Sequence, residues 1–457
     1  MRLRARVRGY AGRQSVAAGE RLEFFFSNID GADLGPCPIR VVRLGLRPSE
    51  VARGLAVVLA QPVPASGWLD NHWRSSWTLD VGPDWPSGVY RADIAAAGAA
   101  LGVYFVVRPA PGKPKAPMVV QLPTTTMNAY NNWGGASLYG YNSPGGAVGA
   151  VSFARPQQPD AAWPRGYGFE PEWQTRIAAF ASWLEAAGYV ADFITDNDLH
   201  EVPNLLDGYR LFVSIGHDEY WSTAMRDQFD RFVDAGGNAA IFGGNTCYWR
   251  IRLEPENPSS SASQLQICHR TTGADPHPDP AAHTVTWRET GYPENLSFGA
   301  GWAEGAGAWR GAAEPGAFTV WRPDHWAFED TGLTIGDQFG NTEAEPLLGY
   351  ETNGVAWRFD DQGLPVPTGT DSTPSGYEIL ALADLSHWDT PGNAALGVFA
   401  RSSRSGLVFN AGTTDWAKGL SAAIASNAVF SNVTAKITRN VIDHLLGKRR
   451  PGGQDQA

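Results

Sequence analysis

The chain has 457 residues, 43% hydrophobic and 18% charged, which is ample material for buried cores and excludes a disordered polymer. Its net charge of -11 argues against a general nucleic-acid binder, which needs a basic surface for phosphates. Cys37, Cys247 and Cys268 lie far apart with no CxxC pair, so a reduced, cytoplasmic protein is expected; the opening "MRLRARVRGY" has no apolar signal region, and no run of about 20 apolar residues suits a membrane span.

Residues 1–110 read as strands and turns. "RLRARVRGY" alternates arginine with apolar or small residues, the period of a half-buried strand. "RLEFFFSN", "PIRVVRLGL", "GLAVVLA", "SSWTLDV", "GVYRADIA" and "LGVYFVVRP" follow, punctuated by Gly, Pro, Asn and Asp. That rhythm predicts an Ig-like antiparallel β-sandwich. The proline-stiffened linker "RPAPGKPKAP" comes next.

From Met118 the pattern changes. "MVVQL", "LFVSIG" and "AAIFGG" are short apolar runs that suit buried parallel strands. Helical patterns separate them. "EPEWQTRIAAFASWLEAAGY" places Trp173, Ile177, Phe180 and Trp183 on one stripe and ends at Gly188. "STAMRDQFDRFVDAGG" opens with Ser222 as an N-cap and stops at Gly236. The alternation predicts an α/β domain over residues 111–449, with a doubly wound sheet of the class-I-amidotransferase type. "SGLVFNAG" and a final helix from about Asn427 to Leu446 would close that sheet. Residues from about 250 to 400 are aromatic and Gly-rich; they are expected to form an inserted β-rich region that walls the site. Residues 450–457 read as a flexible tail.

In an open α/β sheet, ligands sit at the carboxyl ends of the strands. Three segments hold such ends: "VVQLPTTTMNAYNNWGGASLYGYNS", "VSIGHDEYWS" and "AIFGGNTCYWR". They deliver Tyr130, either Tyr139 or Tyr141, His217, Glu219 and Asn245 toward one rim. Two phenolates and a carboxylate are hard anionic donors carrying about three negative charges, which suits a trivalent hard cation such as Fe(III). A cation of that charge would depress the phenol pKa from about 10 and leave positions open for water and substrate. Each residue alone has a blander role: a packed ring, a helix cap for Glu219, a loop histidine, a turn asparagine. Their joint fall at strand ends favours the site. Trp133, Tyr248 and Trp249 would wall it for a small or apolar substrate.

Other candidates fare worse. Cys247 in "GGNTCYWR" lacks the small-residue elbow of a nucleophile and reads as a structural thiol. His277 and His283 in "DPHPDPAAH" read as an exposed loop, and Asp196, Asp198 and His200 in "TDNDLHE" as local capping. No GxGxxG or Walker loop supports nucleotide binding.

"NAYNNWGGASLYGYN", "GHDEYWS", "GGNTCYWR" and "FNAGTTDWAKGL" together resemble the large (beta) subunit of N,N-dimethylformamidase and its relatives, over nearly the whole chain. The resemblance implies a mononuclear iron amidohydrolase whose ligands are two tyrosines and a glutamate. They fall on Tyr130 in "NAYNN", Tyr139 in "SLYGY" with Tyr141 adjacent, and Glu219 in "GHDEYW". It further implies His217 and Asn245 beside the iron, and Glu351 in "GYETN" as general base. The chain is expected to lack a large N-terminal extension of that family and to shorten the interval between the two tyrosines. Both departures weaken the case for dimethylformamide itself and for a small partner subunit. The expected function is an Fe(III)-dependent hydrolase of a small amide, one iron per chain, with self-association open. Two readings compete: a non-catalytic carbohydrate- or partner-binding protein, motivated by the 18 tryptophans, and a cysteine-dependent amidotransferase using Cys247.

Overall fold

Alternating side chains in the first hundred residues build two facing sheets. The computed structural model describes residues 7–29, 31–96, 98–157, 172–256, 264–309, 314–426 and 428–448. The expected tail at 450–457 and the start of the expected N-terminal strand lie outside them. In Arg21–Asn28, Leu22, Phe24 and Phe26 turn inward while Arg21 and Glu23 face water, the period of a pleated strand with one wet face. This strand lies between Val7–Ala11 and Trp77–Asp80. The second sheet runs Ser15–Ala17, Ala99–Arg108, Gly88–Ala96, Gly35–Arg43, Ser49–Val58. Phe24, Phe26, Ile39, Val41, Tyr90 and Phe105 fill the space between.

The larger unit is a nine-stranded sheet. Its order is Ala191–Thr195, Met118–Leu122, Leu211–His217, Asn238–Gly244, Leu407–Asn410, Asn393–Ala400, Glu378–Asp384, Phe318–Val320, Gln338–Phe339. The first five are parallel and the rest antiparallel. Val120, Val213 and Phe242 pack on one face under helices Ala178–Ala186, Trp416–Ala425 and Val433–Leu445. Val119, Phe212 and Ile241 pack on the other under Asp196–Glu201 and Thr223–Asp234. Both faces are buried, which is why these strands are unbroken apolar runs in the sequence.

Three features differ from the sequence expectation. Four strands between Phe318 and Ala400 extend the main sheet rather than forming a separate insertion; "EILALAD" and "NAALGVFA" are apolar enough to be covered on both sides. Trp249–Glu254 and Leu265–Ile267 do leave it, joining Ala150–Ser152 and Tyr220–Ser222 in a four-stranded sheet beside the rim. The final helix, expected from about Asn427, begins at Val433 after a separate helix, Trp416–Ala425; it is capped by Asn432, whose side-chain oxygen accepts from Ala435 N at 2.9 Å. The helix over Trp173 opens with a π-helical stretch, Glu172–Ile177, a rare form often found beside functional sites.

The two units are joined by packing and charge. Tyr104 stacks on Trp173 at 4.5 Å, Arg108 pairs with Asp198 at 3.0 Å and Arg43 with Glu185 at 2.7 Å. Among the described residues no helix is long and apolar enough to cross a membrane.

Candidate active site

Parallel strands put their carboxyl ends on one edge of a sheet, and the turns leaving them converge there. Met118–Leu122 leads into the short helix Thr124–Tyr130, Leu211–His217 ends in His217 and passes to Glu219, and Asn238–Gly244 passes to Asn245. Asn245 and Cys247 both hold left-handed backbone, φ +45° and +58°, a conformation non-glycine residues adopt where surrounding structure forces it. At Gly244 a Cβ would lie 2.6 Å from the Glu351 carbonyl and 2.7 Å from Thr414 N. Only glycine there lets the Glu351 segment reach the rim.

Three oxygens meet at this edge. The Tyr130 and Tyr139 hydroxyls are 2.9 Å apart, and they lie 3.1 Å and 3.0 Å from the same Glu219 Oε2. Their rings stack at 4.3 Å. Thr126 fixes the turn by accepting from Glu219 N at 2.8 Å. Burial, then the Glu219 charge, pushes both phenols well up. Burial also lifts the Glu219 carboxyl to about 7. Three oxygens crowded out of water resist becoming anions without a nearby cation.

The adjoining group behaves oppositely. His217 Nε2 lies 2.7 Å from Glu351 Oε2 and 3.5 Å from Glu219 Oε2. Glu351 Oε2 also accepts from Asn245 Nδ2 at 3.0 Å, and Oε1 accepts from Trp309 Nε1 at 3.0 Å. Burial opposes charge on both partners, yet mutual attraction prevails: His217 is raised and Glu351 lowered. Behind them Arg176, fully buried, binds Glu172 at 2.6 Å and Asp415 at 2.5 Å. Arg176 Nε donates to the Thr414 carbonyl at 3.0 Å, and Thr414 N donates to the Glu351 carbonyl at 3.0 Å. The π-helical stretch thus carries a buried ion network that grips the Glu351 chain from behind.

The structure brings together Tyr130, Tyr139, Glu219, His217, Asn245 and Glu351, residues spread over nearly half the chain. Tyr141 stands apart: it is 56% exposed, with its ring 5.6 Å from that of Tyr139. Trp249 packs into the same cluster as Tyr130 and Tyr220, with Tyr248 edge-on to it at 4.9 Å. Trp133 does not line the site. It packs with Tyr10 and Trp73 against the sandwich, its indole N–H donating to Asn71 Oδ1 at 2.8 Å. Its neighbour Gly134, at φ +78°, lies so close to Gly67 and Trp68 that a Cβ would sit 2.4 Å from Trp68 N; this loop is built to touch the other unit. Cys247 is buried and burial pushes its thiol well up, the reverse of an activated nucleophile. Asp198 caps its own short helix with Thr195. His283 is buried, not exposed as the loop reading expected.

Sequence reasoning missed three residues: Tyr220, whose hydroxyl is 2.7 Å from that of Tyr139; Arg270, which donates to Tyr220 at 2.9 Å; and Trp309. Tyr220 sits next to Glu219 in "GHDEYWS" and could have been weighed. Arg270 and Trp309 arrive from irregular loops with no local pattern. Among the described residues no group of three His, Cys, Asp or Glu side chains could hold a metal ion; this cluster has one carboxylate and relies on phenols.

Residues 45–430 match the family described as N,N-dimethylformamidase beta subunit-like, C-terminal. The chain belongs to that family. Among individual proteins, a stretch of 77 residues is 30% identical to the N,N-dimethylformamidase beta subunit of Alcaligenes sp and 31% to that of Paracoccus aminophilus. Each match takes in 17% of this chain and 10% of the relative. A solved thua-like protein from Parabacteroides merdae aligns over 74% of this chain and 94% of its own, at 12% identity and a TM-score of 0.26. A cycloisomaltooligosaccharide glucanotransferase from Paenibacillus sp. aligns over 25% and 15%, at 16% identity and 0.17. Likenesses this loose carry no argument about fold or function.

Proposed function

We propose that this chain hydrolyses the C–N bond of a small amide with the help of one bound iron(III). The observation that carries the reading is the convergence of the Tyr130, Tyr139 and Glu219 oxygens, 2.9 to 3.1 Å apart, beside a buried His217–Glu351 pair. Oxygens this close together could all be held by one hard cation, so the donor set fits. All three donors are hard oxygens, and burial disfavours their charge unless a cation answers it. When bound, the ion would supply Lewis-acid polarisation of the amide carbonyl and acidify a water at neutral pH. Membership of the dimethylformamidase-like family supports amide chemistry. An amidotransferase-like sheet and an Ig-like sandwich remain our proposed fold assignments.

The protein's own groups then manage protons. The attacking water gives its oxygen to the carbonyl carbon and a proton to His217 in its neutral form, while Glu351 stays ionised and the carbonyl π electrons move onto oxygen. Collapse restores the carbonyl and breaks the C–N bond, and the amine leaves with the proton held by the pair. Water and amide become carboxylic acid and amine. Glu351 accepts three hydrogen bonds and is held below its usual range, so it orients His217 and stabilises its charged form. His217, raised, suits carrying the proton to the amine. Trp249 and Tyr248 would wall the pocket.

Purified protein expressed with iron should bind about one iron per chain and show a visible phenolate-to-iron charge-transfer band, with turnover on a panel of small amides. Tyr139→Phe should weaken or shift that band. Metal-free protein with full amide turnover would sink the proposal, as would an unchanged band in Tyr139→Phe for that ligand.

A further inference from the structure

A cation from outside the main sheet leans on the oxygen cluster, and the hydrolysis outlined above leaves it unused. Arg270 follows the strand Leu265–Ile267 and is half-buried. Its backbone is left-handed, φ +67°, an arrangement that a non-glycine residue keeps only where its surroundings over-determine it. Its guanidinium sits 4.0 Å above the Tyr139 ring and 5.3 Å from that of Trp249. Nη2 donates to the Tyr220 hydroxyl at 2.9 Å, and that hydroxyl reaches the Tyr139 oxygen at 2.7 Å. Tyr139 in turn is 3.0 Å from Glu219 Oε2.

A guanidinium has five N–H donors and no acceptor. It therefore sets the sense of the whole chain. Tyr220 accepts from Arg270 and directs its own proton to Tyr139; Tyr139 directs its proton onward to Glu219. Reversing the sense would place two protons between Arg270 and Tyr220. Each bond in such a run polarises the next.

We infer that Arg270 is a positioning residue that holds Tyr220 as a standing hydrogen-bond donor to the Tyr139 oxygen and so withdraws electron density from that oxygen. The inference rests on the iron reading above. When a cation replaces the Tyr139 proton, the bond from Tyr220 remains, and the Arg270 charge stays over the ring. Tyr139 is then a poorer electron donor to the ion than it would be alone. The function of this is to keep the ion electron-poor, as activation of a carbonyl requires.

The test compares iron-loaded wild type with Arg270→Gln, Arg270→Lys and Tyr220→Phe. Charge transfer from a more electron-rich phenolate needs less energy. The band should move to longer wavelength in Tyr220→Phe and Arg270→Gln. Arg270→Lys, which keeps the charge but not the planar fork, should move it less. The kcat of Tyr220→Phe should fall about 10- to 100-fold. Tyr220→Phe removes a single oxygen and carries the test if the arginine variants do not fold. Bands that coincide with wild type in Tyr220→Phe overturn the inference and leave the hydrolase reading standing. If wild type binds no iron, that reading fails, and the chain is judged on metal-free protein by NMR. There the Tyr220 hydroxyl proton should exchange slowly in wild type and be lost in Arg270→Gln; its persistence overturns the inference.

Discussion

The two halves of the rim solve the problem of buried charge in opposite ways. On one side His217 and Glu351 answer each other, at 2.7 Å, with Asn245 and Trp309 taking up the carboxylate's remaining capacity. In that half each charge is answered by a partner of opposite sign. On the other side Tyr130, Tyr139 and Glu219 crowd three oxygens together, and burial pushes all three toward their protonated forms. Buried polar groups are normally paired off for stability. Arg270 and His217 offset that burial only in part at Tyr139 and Glu219. The contrast between the halves supports the proposed cation, beside the convergence of the three oxygens.

Separating the halves by mutation gives the largest effect. Glu351→Gln leaves the oxygen cluster intact but removes the charge that orients His217. Iron content and the visible band should stay close to wild type while kcat/KM falls about 10²- to 10⁴-fold, the range for losing acid–base help. Loss of iron in this variant would mean the halves are one unit, and the contrast would fail.

A smaller effect separates them without iron. Glu219 lifted from 4.5 to about 7 is a carboxyl that prefers its proton in the folded state. Its contribution to stability is full below pH 4.5 and is lost as pH rises through about 7. At about 1.4 kcal/mol per pH unit this amounts to about 3 kcal/mol. In chelator-treated protein, the stability difference between wild type and Glu219→Gln should therefore change by about that much between pH 4.5 and pH 8, measured by urea unfolding, wild type losing ground as pH rises. A difference independent of pH would show that Glu219 titrates normally. Bound iron should reverse the trend, because the ion favours the anion.

The strands and the rim were legible because their signals are local. "MVVQL", "LFVSIG" and "AAIFGG" are apolar on both faces, and a parallel strand must be. Once those strands are parallel, the residues just after them share an edge, so Tyr130, His217, Glu219 and Asn245 could be grouped before any contact was known. Glu351 was reached only by likeness to a family, since nothing in "GYETN" says that Gly244 opens a path for it. Arg270 and Trp309 had no such signal; a loop residue's reach depends on where the whole loop lands. The strands around Glu378–Asp384 and Asn393–Ala400 were read as insertion because long irregular stretches interrupt them, and chain order does not reveal that they rejoin the sheet.

Trp133 was misread for a related reason, and it supplies the last and smallest test. An aromatic residue three positions from Tyr130 in a Gly/Asn-rich loop looks like a pocket wall. The short turn at Trp133–Gly135 instead sends its ring toward the sandwich, edge-on to Trp73 at 6.0 Å, with its N–H on Asn71. Trp133→Phe keeps a ring in that seam but leaves the buried Asn71 oxygen without this donor. An unmatched buried acceptor costs about 1–3 kcal/mol. The variant should unfold earlier by that amount in urea, with kcat, KM and the visible band unchanged per folded molecule. A changed KM with unchanged stability would return Trp133 to the pocket wall. It would also mean that the seam between sandwich and sheet reaches into the site, so that substrate recognition and the docking of the two units are one event.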